Sequence, residues 1–360
     1  MAKSLQAKKV LVLGEDTRSF LSVIRSLGEG GMHVDVVTLD NLSPSIRSKW
    51  VKQVFNLNYQ AFSQEQWSQK VEQILETGSY DLVVPCDERS IYPLLDIKER
   101  FTGKTVFAIP ERSVLAPLFD KKETRKLAAS LNIPVAQGEL INLTSLDNKA
   151  LIEKYGIPLV LKPAMSYESD QLDKRNSVVI AKNEQDINKF RTLHSHSLVE
   201  QYFSGVGMGL SVLASKGKVR AAFAHKRVSE PEKGGGSSYR KAVPLDIGML
   251  DACQKICSHL DYTGVAMFEF KHNEQKNAWI LIEVNARFWG SLPLAIFAGV
   301  NFPILMANYL LTQQRPNKLT YNHRARARNL TADFYDMKIS FDSLRTTSGL
   351  FTALKKTIVK

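Results

Sequence analysis

Cysteine is scarce in this chain of 360 residues: Cys86, Cys253 and Cys257 are all it has. The last two are spaced as neighbours on one helical face, not as a Cys-x-x-Cys pair. That excludes a disulfide framework or thiolate metal site and fits a reducing, cytoplasmic compartment. No G-x-G-x-x-G follows the first strand candidate, so the dinucleotide fingerprint is missing. The basic N-terminus leads into an apolar run of only Val10 to Leu13, too short for the core of a signal peptide. No segment repeats, and no long stretch is of low complexity. Phe288 to Gln314 carries no charge, but Pro293, Asn301, Pro303 and Asn308 interrupt it. It reads as two short buried helices joined around residues 299–303, and no membrane span is expected. Acidic residues are in deficit, 36 against 48 Lys and Arg, for a net charge of +12. The surplus favours anionic partners (nucleotides, phosphorylated metabolites, nucleic acid or a membrane surface) without choosing among them.

What is present is ordinary globular material, long enough for two or three domains. Residues 1–115 alternate strands and helices. Val10–Leu13, Val34–Thr38, Leu82–Val84 and Thr105–Ile109 read as strands, and Phe20–Leu27 and Trp67–Leu75 as helices. Such alternation predicts a parallel, doubly wound sheet whose ligands bind beyond the carboxyl ends of its strands. Those ends carry Gly14-Glu15-Asp16 and Asp87-Glu88-Arg89. A second unit opens with a helix from about Phe119-Asp120-Lys121 to Leu131. It contains strand Leu159–Lys162, strand Leu198–Phe203, the spaced trio Gly205, Gly207 and Gly209 read as a turn, and an antiparallel pair turning at Lys216-Gly217-Lys218. From about residue 313 the sequence offers a further strand and an amphipathic end.

The most telling segments are Gly264–Lys271 and Trp279–Ser291, two strands joined by a polar turn over residues 272–277. Alternation puts Met267 and Glu269 on one face of the first, and Leu281, Glu283 and Asn285 on one face of the second. Two carboxylates and an amide oxygen then converge, with Arg287 just beyond. That combination suits a hard divalent cation carrying a nucleotide phosphate, beside a cation for the charge that moves in phosphoryl transfer. Solvent-facing acids on a hairpin would give the same pattern. Against that reading, Glu283 and Asn285 interrupt an otherwise apolar strand, where burial without partners is costly.

Other features allow two readings each. Lys162, at the end of an apolar strand, either reaches a phosphate as a point charge or reaches solvent. The loop after it, Ala164–Asn176, is rich in hydroxyls but has no glycine. Gly234 to Gly236, after the basic triplet His225-Lys226-Arg227, exposes backbone N–H groups as a ligand cover would, or is a flexible linker. Arg324, Arg326 and Arg328 share one strand face, a comb for phosphates or carboxylates, or a solvated basic face.

In order along the chain, these pieces resemble the ATP-grasp superfamily. The segments are Asp120-Lys121 opening a helix, LVLKP (Leu159–Pro163), LVEQYFSG (Leu198–Gly205), AMFEFK (Ala266–Lys271) and LIEVNARFWGS (Leu281–Ser291). HKRVSEPEKGGGSSY (His225–Tyr239) with AGVNFP (Ala298–Pro303) resembles its carboxylate–amine ligase branch, which includes D-aspartate-ligase-like and carbamoyl-phosphate-synthase-like proteins. The resemblance implies an α/β and α+β fold. A Rossmann-like pre-ATP-grasp domain would span 1–115, followed by an ATP-grasp N-terminal subdomain over 116–200, a C-terminal subdomain with the metal-binding strands over 201–312, and an extension over 313–360.

It also implies roles. Lys121 and Lys162 would contact phosphates of ATP. Glu200, Gln201, Tyr202 and Phe203 would form the hinge strand, with backbone groups of Gln201 and Phe203 reading adenine. Glu269, Glu283 and Asn285 would hold Mg²⁺, or Mn²⁺ in its place, and Arg287 would join Lys162 as a catalytic cation stabilising an acyl phosphate. Asp87, Glu88, Arg227, Gly235, Gly236, Ser237 and Arg240 are the substrate candidates. The chain departs from the family in lacking glycines after Lys162 and an acidic residue near Gly207-Met208-Gly209 for the ribose.

The implied reaction joins a small-molecule carboxylate to an amine and releases ADP and phosphate. Within the same fold the alternative is bicarbonate activation, as in carboxylases or carbamoyl-phosphate synthesis; no biotin or glutaminase domain is seen to accompany it. In another class the alternative is a non-catalytic basic protein binding nucleic acid or anionic lipid. Retention of Glu269, Glu283, Asn285 and Arg287 disfavours that reading, and with it nucleic acid as a partner. A homodimer is compatible with the sequence.

Overall fold

A computed structural model describes residues 5–58, 62–163, 176–229, 239–316 and 320–330. The first region places β1 (Lys9–Gly14), α1 (Ser19–Glu29), β2 (His33–Thr38), β3 (Val51–Asn56), α2 (Gln64–Gly78), β4 (Leu82–Pro85), α3 (Glu88–Ile97) and β5 (Val106–Phe107) around a five-stranded sheet. Its order is β3-β2-β1-β4-β5 and every pairing is parallel. The apolar run of β1 is what a strand covered on both faces requires. Val10 and Val12 enter the core that holds Phe20, Val23, Ile24 and Leu27 of α1. Leu11 and Leu13 enter the one that holds Trp67, Val71 and Leu75 of α2 and Ile91 and Leu94 of α3.

Strand β3 was not expected from the sequence, because Lys52 and Gln53 face solvent at the sheet edge and break any alternation. At the other edge, the expected strand over 105–109 shrinks to two residues. Inside the sheet, Asp35 is fully buried. Its carboxylate accepts from Tyr80 Oη at 2.8 Å, and Lys9 Nζ lies 3.1 Å away. His33 Nε2 stands 3.2 Å from the other carboxylate oxygen.

The helix expected from about Phe119-Asp120-Lys121 to Leu131 is α5 (Lys121–Ser130), and a separate helix, α4 (Arg112–Phe119), precedes it, the two meeting at Asp120. Asp120 is extended and caps α5 by accepting from the N–H groups of Lys122 and Glu123 at 2.7 and 3.2 Å. Such a cap satisfies two donors that the first turn otherwise leaves open. Then β6 (Gly138–Asn142), α6 (Asn148–Tyr155), β7 (Leu159–Lys162), β8 (Val179–Ala181), α7 (Glu184–Arg191) and β9 (His196–Gln201) form an antiparallel sheet of order β6-β9-β7-β8. It has its own small core, including Leu151, Leu159, Leu161, Ile187 and Phe190. The strand expected to reach Phe203 stops at Gln201, whose N–H bonds the carbonyl of Gln137 at 2.8 Å. Tyr202, beyond that last rung, is 38% exposed.

The third region holds β10 (Val206–Ser215), β11 (Lys218–Ser229), β12 (Tyr239–Val243), α8 (Ile247–His259), β13 (Gly264–Asn273), β14 (Ala278–Asn285), α9 (Leu292–Phe297), α10 (Phe302–Thr312) and β15 (Arg326–Arg328). The sheet runs β14-β13-β10-β11-β12-β15 and is antiparallel throughout. Gly207 and Gly209 lie inside β10, so the glycine trio is mainly strand, not turn. Residues 288–314 do form two short helices, and no described helix is long and apolar enough to cross a membrane.

One face of the sheet carries Leu210, Val212, Phe268 and Phe270 under Ala252, Cys253 and Ile256 of α8. The same apolar cluster includes Leu11 and Leu13 of β1 and Leu118, Leu127 and Ala128 of α4 and α5. The other face, with Leu213, Phe223 and Met267, shares a core with Val10 and Val12, α1, α9 and α10. Both large cores therefore run across residue 115, and Leu127 and Ala128 of α5 belong to the first of them, while its Arg125 reaches the four-stranded sheet. The amphipathic end expected after residue 331 lies outside the described residues.

Candidate active site

Two residues of β14 set the site's geometry. Glu269 of β13 faces Glu283, and Met267 faces Asn285, but Phe270 pairs with Leu281. Ile282 is therefore an extra residue, a β-bulge that advances the pleat by one. Leu281 consequently turns into the apolar core with Phe268 and Phe270. This corrects the expectation from strict alternation that Leu281 shares a face with Glu283 and Asn285. Those two, with Glu269, point to the opposite face.

There Asn285 Nδ2 donates to Glu283 Oε1 at 3.1 Å and stands 3.5 Å from Glu269 Oε1. Arg227 Nη2 donates to the other Glu269 oxygen at 2.6 Å. Arg287 Nη2 is 3.2 Å from Glu88 Oε1, and its Nη1 donates to the carbonyl of Phe288 at 2.9 Å. A small open cleft is lined by Glu88, Lys121, Thr124, Glu283 and Asn285, with Phe119 and Ile282 among its apolar walls.

The two glutamates titrate in opposite directions. Burial and the neighbouring Glu283 charge push the Glu269 carboxyl above the usual range, against the pull of Arg227. Burial also pushes on Glu283, but Lys121, the Asn285 amide, Lys162 and Arg287 outweigh it, and its carboxyl is lowered. For Arg287 the cost of burial is exceeded by Glu88, Asp87 and Glu283, which hold the guanidinium charged. Adjacent carboxylates split in this way are common where charge must be handled in chemistry.

The donor set fits a hard divalent cation. It offers two carboxylates and an amide whose oxygen and nitrogen exchange places by a half-turn of the terminal bond. Among the described residues no three His, Cys, Asp or Glu side chains cluster. Further ligands would have to be oxygens of a bound partner or water.

Lys162 does not reach solvent; it is 5% exposed. Its Nζ lies 2.5 Å from Glu200 Oε2, while Arg125 Nη1 donates to Glu200 Oε1 at 2.6 Å. Arg125 further bonds the carbonyls of Ala136 and Gly138. The field of Lys162 still reaches Glu283. Arg125 was not singled out in the sequence, although it sits one helical turn after Lys121.

Asp87 caps α3 by accepting from Ser90 N–H at 2.9 Å and also accepts from Arg89. Neither it nor Glu88 stands as a bare carboxylate. The basic triplet is basic in only two of its members. His225 is buried, and its pKa falls to about 3 through burial, with the Arg240 and Arg227 charges adding to the shift. Its ring lies over Gly209, where an added Cβ would come within 2.2 Å of it. Lys226, on the opposite face, pairs with Glu274. Arg240 is the cross-strand neighbour of Arg227. Arg326 and Arg328 share an exposed face of β15 beside Tyr239, which either reading expects, while Arg324 precedes the strand. Gly235, Gly236 and Ser237 lie outside the described residues.

Comparison with known proteins bears on the fold. Residues 194–332 match the family model described as ATP-grasp in the biosynthetic pathway with Ter operon. A D-alanine–D-alanine ligase of Mannheimia succiniciproducens is 31% identical over 97 residues, a match spanning 26% of this chain and 31% of that ligase. Among solved structures, the L-amino acid ligase from Bacillus licheniformis is similar at a TM-score of 0.68 and 16% identity, over 85% of this chain and 75% of that one. The biotin carboxylase domain of Hydrogenobacter thermophilus 2-oxoglutarate carboxylase, solved with MgADP, ADP and bicarbonate, gives 0.66 and 16%, over 89% and 73%. The chain has the ATP-grasp fold.

Proposed function

We propose that this protein is an ATP-dependent ligase that activates a small-molecule carboxylate as its acyl phosphate and joins it to an amine. The observation that carries the reading is the bulge-aligned set Glu269, Glu283 and Asn285, facing a cleft that also holds Lys121, with Arg287 in coulombic reach. A carboxylate resists an amine because it is negatively charged and has no good leaving group. Transfer of the γ-phosphoryl group turns one oxygen into phosphate, which then leaves when the amine attacks. In this reading Lys121 and Lys162 bind ATP phosphates, and Gln201 to Phe203 lie along the adenine. Arg287, kept charged by Glu88, faces the charge that develops on the transferred group. Mg²⁺ held by Glu269, Glu283 and Asn285, or Mn²⁺ in its place, would neutralise phosphate oxygens when bound. The parallel sheet would serve as the Rossmann-like preceding domain, and the two antiparallel sheets as the jaws of the nucleotide site. A cytoplasmic location follows from the use of ATP.

A pooled screen of acids and amines, read by ADP release together with product mass, tests the proposal. ADP formed only with an acid and an amine both present, with a product lighter than their sum by one water, is the expected result. ADP formation that needs bicarbonate and yields a carboxylated product instead would replace ligation with carboxylation.

A further inference from the structure

The ion pairs around the site leave cations over. Arg227 is matched by Glu269, Arg287 by Glu88 and Lys162 by Glu200. For Arg240 no side-chain hydrogen bond or ion pair is found among the described residues. Its nearest carboxylate field is that of Glu269, which Arg227 already engages. Arg240 lies directly across from Arg227 on adjacent strands, half-buried. Like charges placed opposite on a sheet are destabilising unless something of the other sign joins them.

Arg18, from the loop after β1, adds to the crowding. Its guanidinium packs against Gly290, where an added Cβ would stand 3.1 Å from Cζ, and its side chain likewise has no partner among the described residues. Burial first, then Arg227 and Arg18, lower Arg240 to about 10, so it stays charged at neutral pH but at a cost. Beside them His225, 3% exposed, has a ring Nδ1 without a hydrogen-bond partner among the described residues.

We propose, resting on the ligase reading above, that Arg240 and Arg18 with Arg227 form a subsite for a second anionic group on the acid that is activated. The substrate class is then an acid with an additional carboxylate or phosphate, not a simple monocarboxylate. The carboxylate to be phosphorylated goes to the Glu269–Arg287 side, and the second anion is held by the guanidinium forks. This accounts for why two arginines stand opposite each other at a site already supplied with cations for ATP.

The test titrates propionate, succinate and 3-phosphonopropionate into the full chain at low ionic strength, with Mg²⁺ and a non-hydrolysable ATP analogue present. At least one doubly charged acid should bind ten-fold or more tightly than propionate, and which one does so separates carboxylate from phosphate. Arg240→Gln should remove most of that advantage, and Arg240→Lys should keep part of it, with propionate and nucleotide binding unchanged. Doubly charged probes that bind no better than propionate, or a preference that survives Arg240→Gln, overturn the subsite. The two proposals fail separately. ADP release as fast with singly as with doubly charged acids sinks the subsite alone. Arg240-dependent binding of the doubly charged acid, with no acid–amine pair releasing ADP, sinks the ligase reading alone.

Discussion

Two sheets in this molecule bury carboxylates, and they treat them differently. In the parallel sheet Asp35 Oδ2 meets Tyr80 Oη, from two residues before β4, and Lys9 Nζ of the adjoining β1, while Oδ1 has His33 Nε2 at 3.2 Å but no hydrogen bond among the described residues. In the six-stranded sheet Glu269 and Glu283 lie side by side, split in proton affinity, with Arg240 and Arg18 left over nearby. The first sets a hydroxyl and an ammonium around one carboxylate. The second sets two carboxylates side by side, and in the proposed site a bound cation would relieve their repulsion.

The contrast makes distinct predictions. Glu283→Gln should cut ADP formation by roughly 10³-fold, the scale for losing a key electrostatic element of an active site. Its melting temperature should stay level or rise; full turnover in the variant would end the metal-site assignment. Arg287→Ala should lower turnover by about 10²-fold while nucleotide affinity, measured by calorimetry, stays within a few-fold of wild type. If affinity and turnover fall together, Arg287 is a binding residue only.

Asp35→Asn should do the opposite of Glu283→Gln. It should cost about 2 kcal/mol of stability, because Tyr80 and Lys9 lose a charged acceptor, with turnover per folded molecule unchanged. A loss of turnover at constant stability would erase the distinction between the two sheets.

The smallest effect is in pH. His225 is neutral when folded and has a folded pKa of about 3. The unfolded chain therefore takes up a proton first, and stability that is complete above about pH 6.5 declines as pH falls, by at most about 1.4 kcal/mol per unit. Glu269 acts in the other direction: its raised carboxyl favours the folded state when protonated, a contribution that shrinks as pH rises. The wild-type minus His225→Phe difference in melting temperature isolates the histidine. A pH-independent difference between pH 7 and pH 5 would mean that His225 is hydrated in the folded state.

Much of the fold was legible because buried strands announce themselves. Val10–Leu13, Leu159–Lys162 and both strands of the hairpin carry their burial in their composition. Edge strands do not, and β3, with Lys52 and Gln53 outward, was invisible. Of the site, Glu269, Glu283, Asn285 and Arg287 could be read because they interrupt apolar runs. Their partners could not. Arg287 meets Glu88 across 199 positions of sequence, and Arg125 meets Glu200 across 75. No periodicity encodes such pairings. His225 looked basic beside Arg227 because the lack of a side chain at Gly209, which lets its ring be buried, appears only once β10 and β11 are paired.

The bulge at Ile282 divides β14 into two reading frames. Up to Leu281 the strand spells out core; from Glu283 onward the same alternation spells out chemistry. Were Ile282 drawn into the ladder as a regular rung, no charge would be lost, yet every later letter would be transposed, sending Glu283 and Asn285 into the core and Val284 into the cleft. One unremarkable isoleucine thus works as a punctuation mark, and the site depends on its being skipped in the ladder rather than on its side chain.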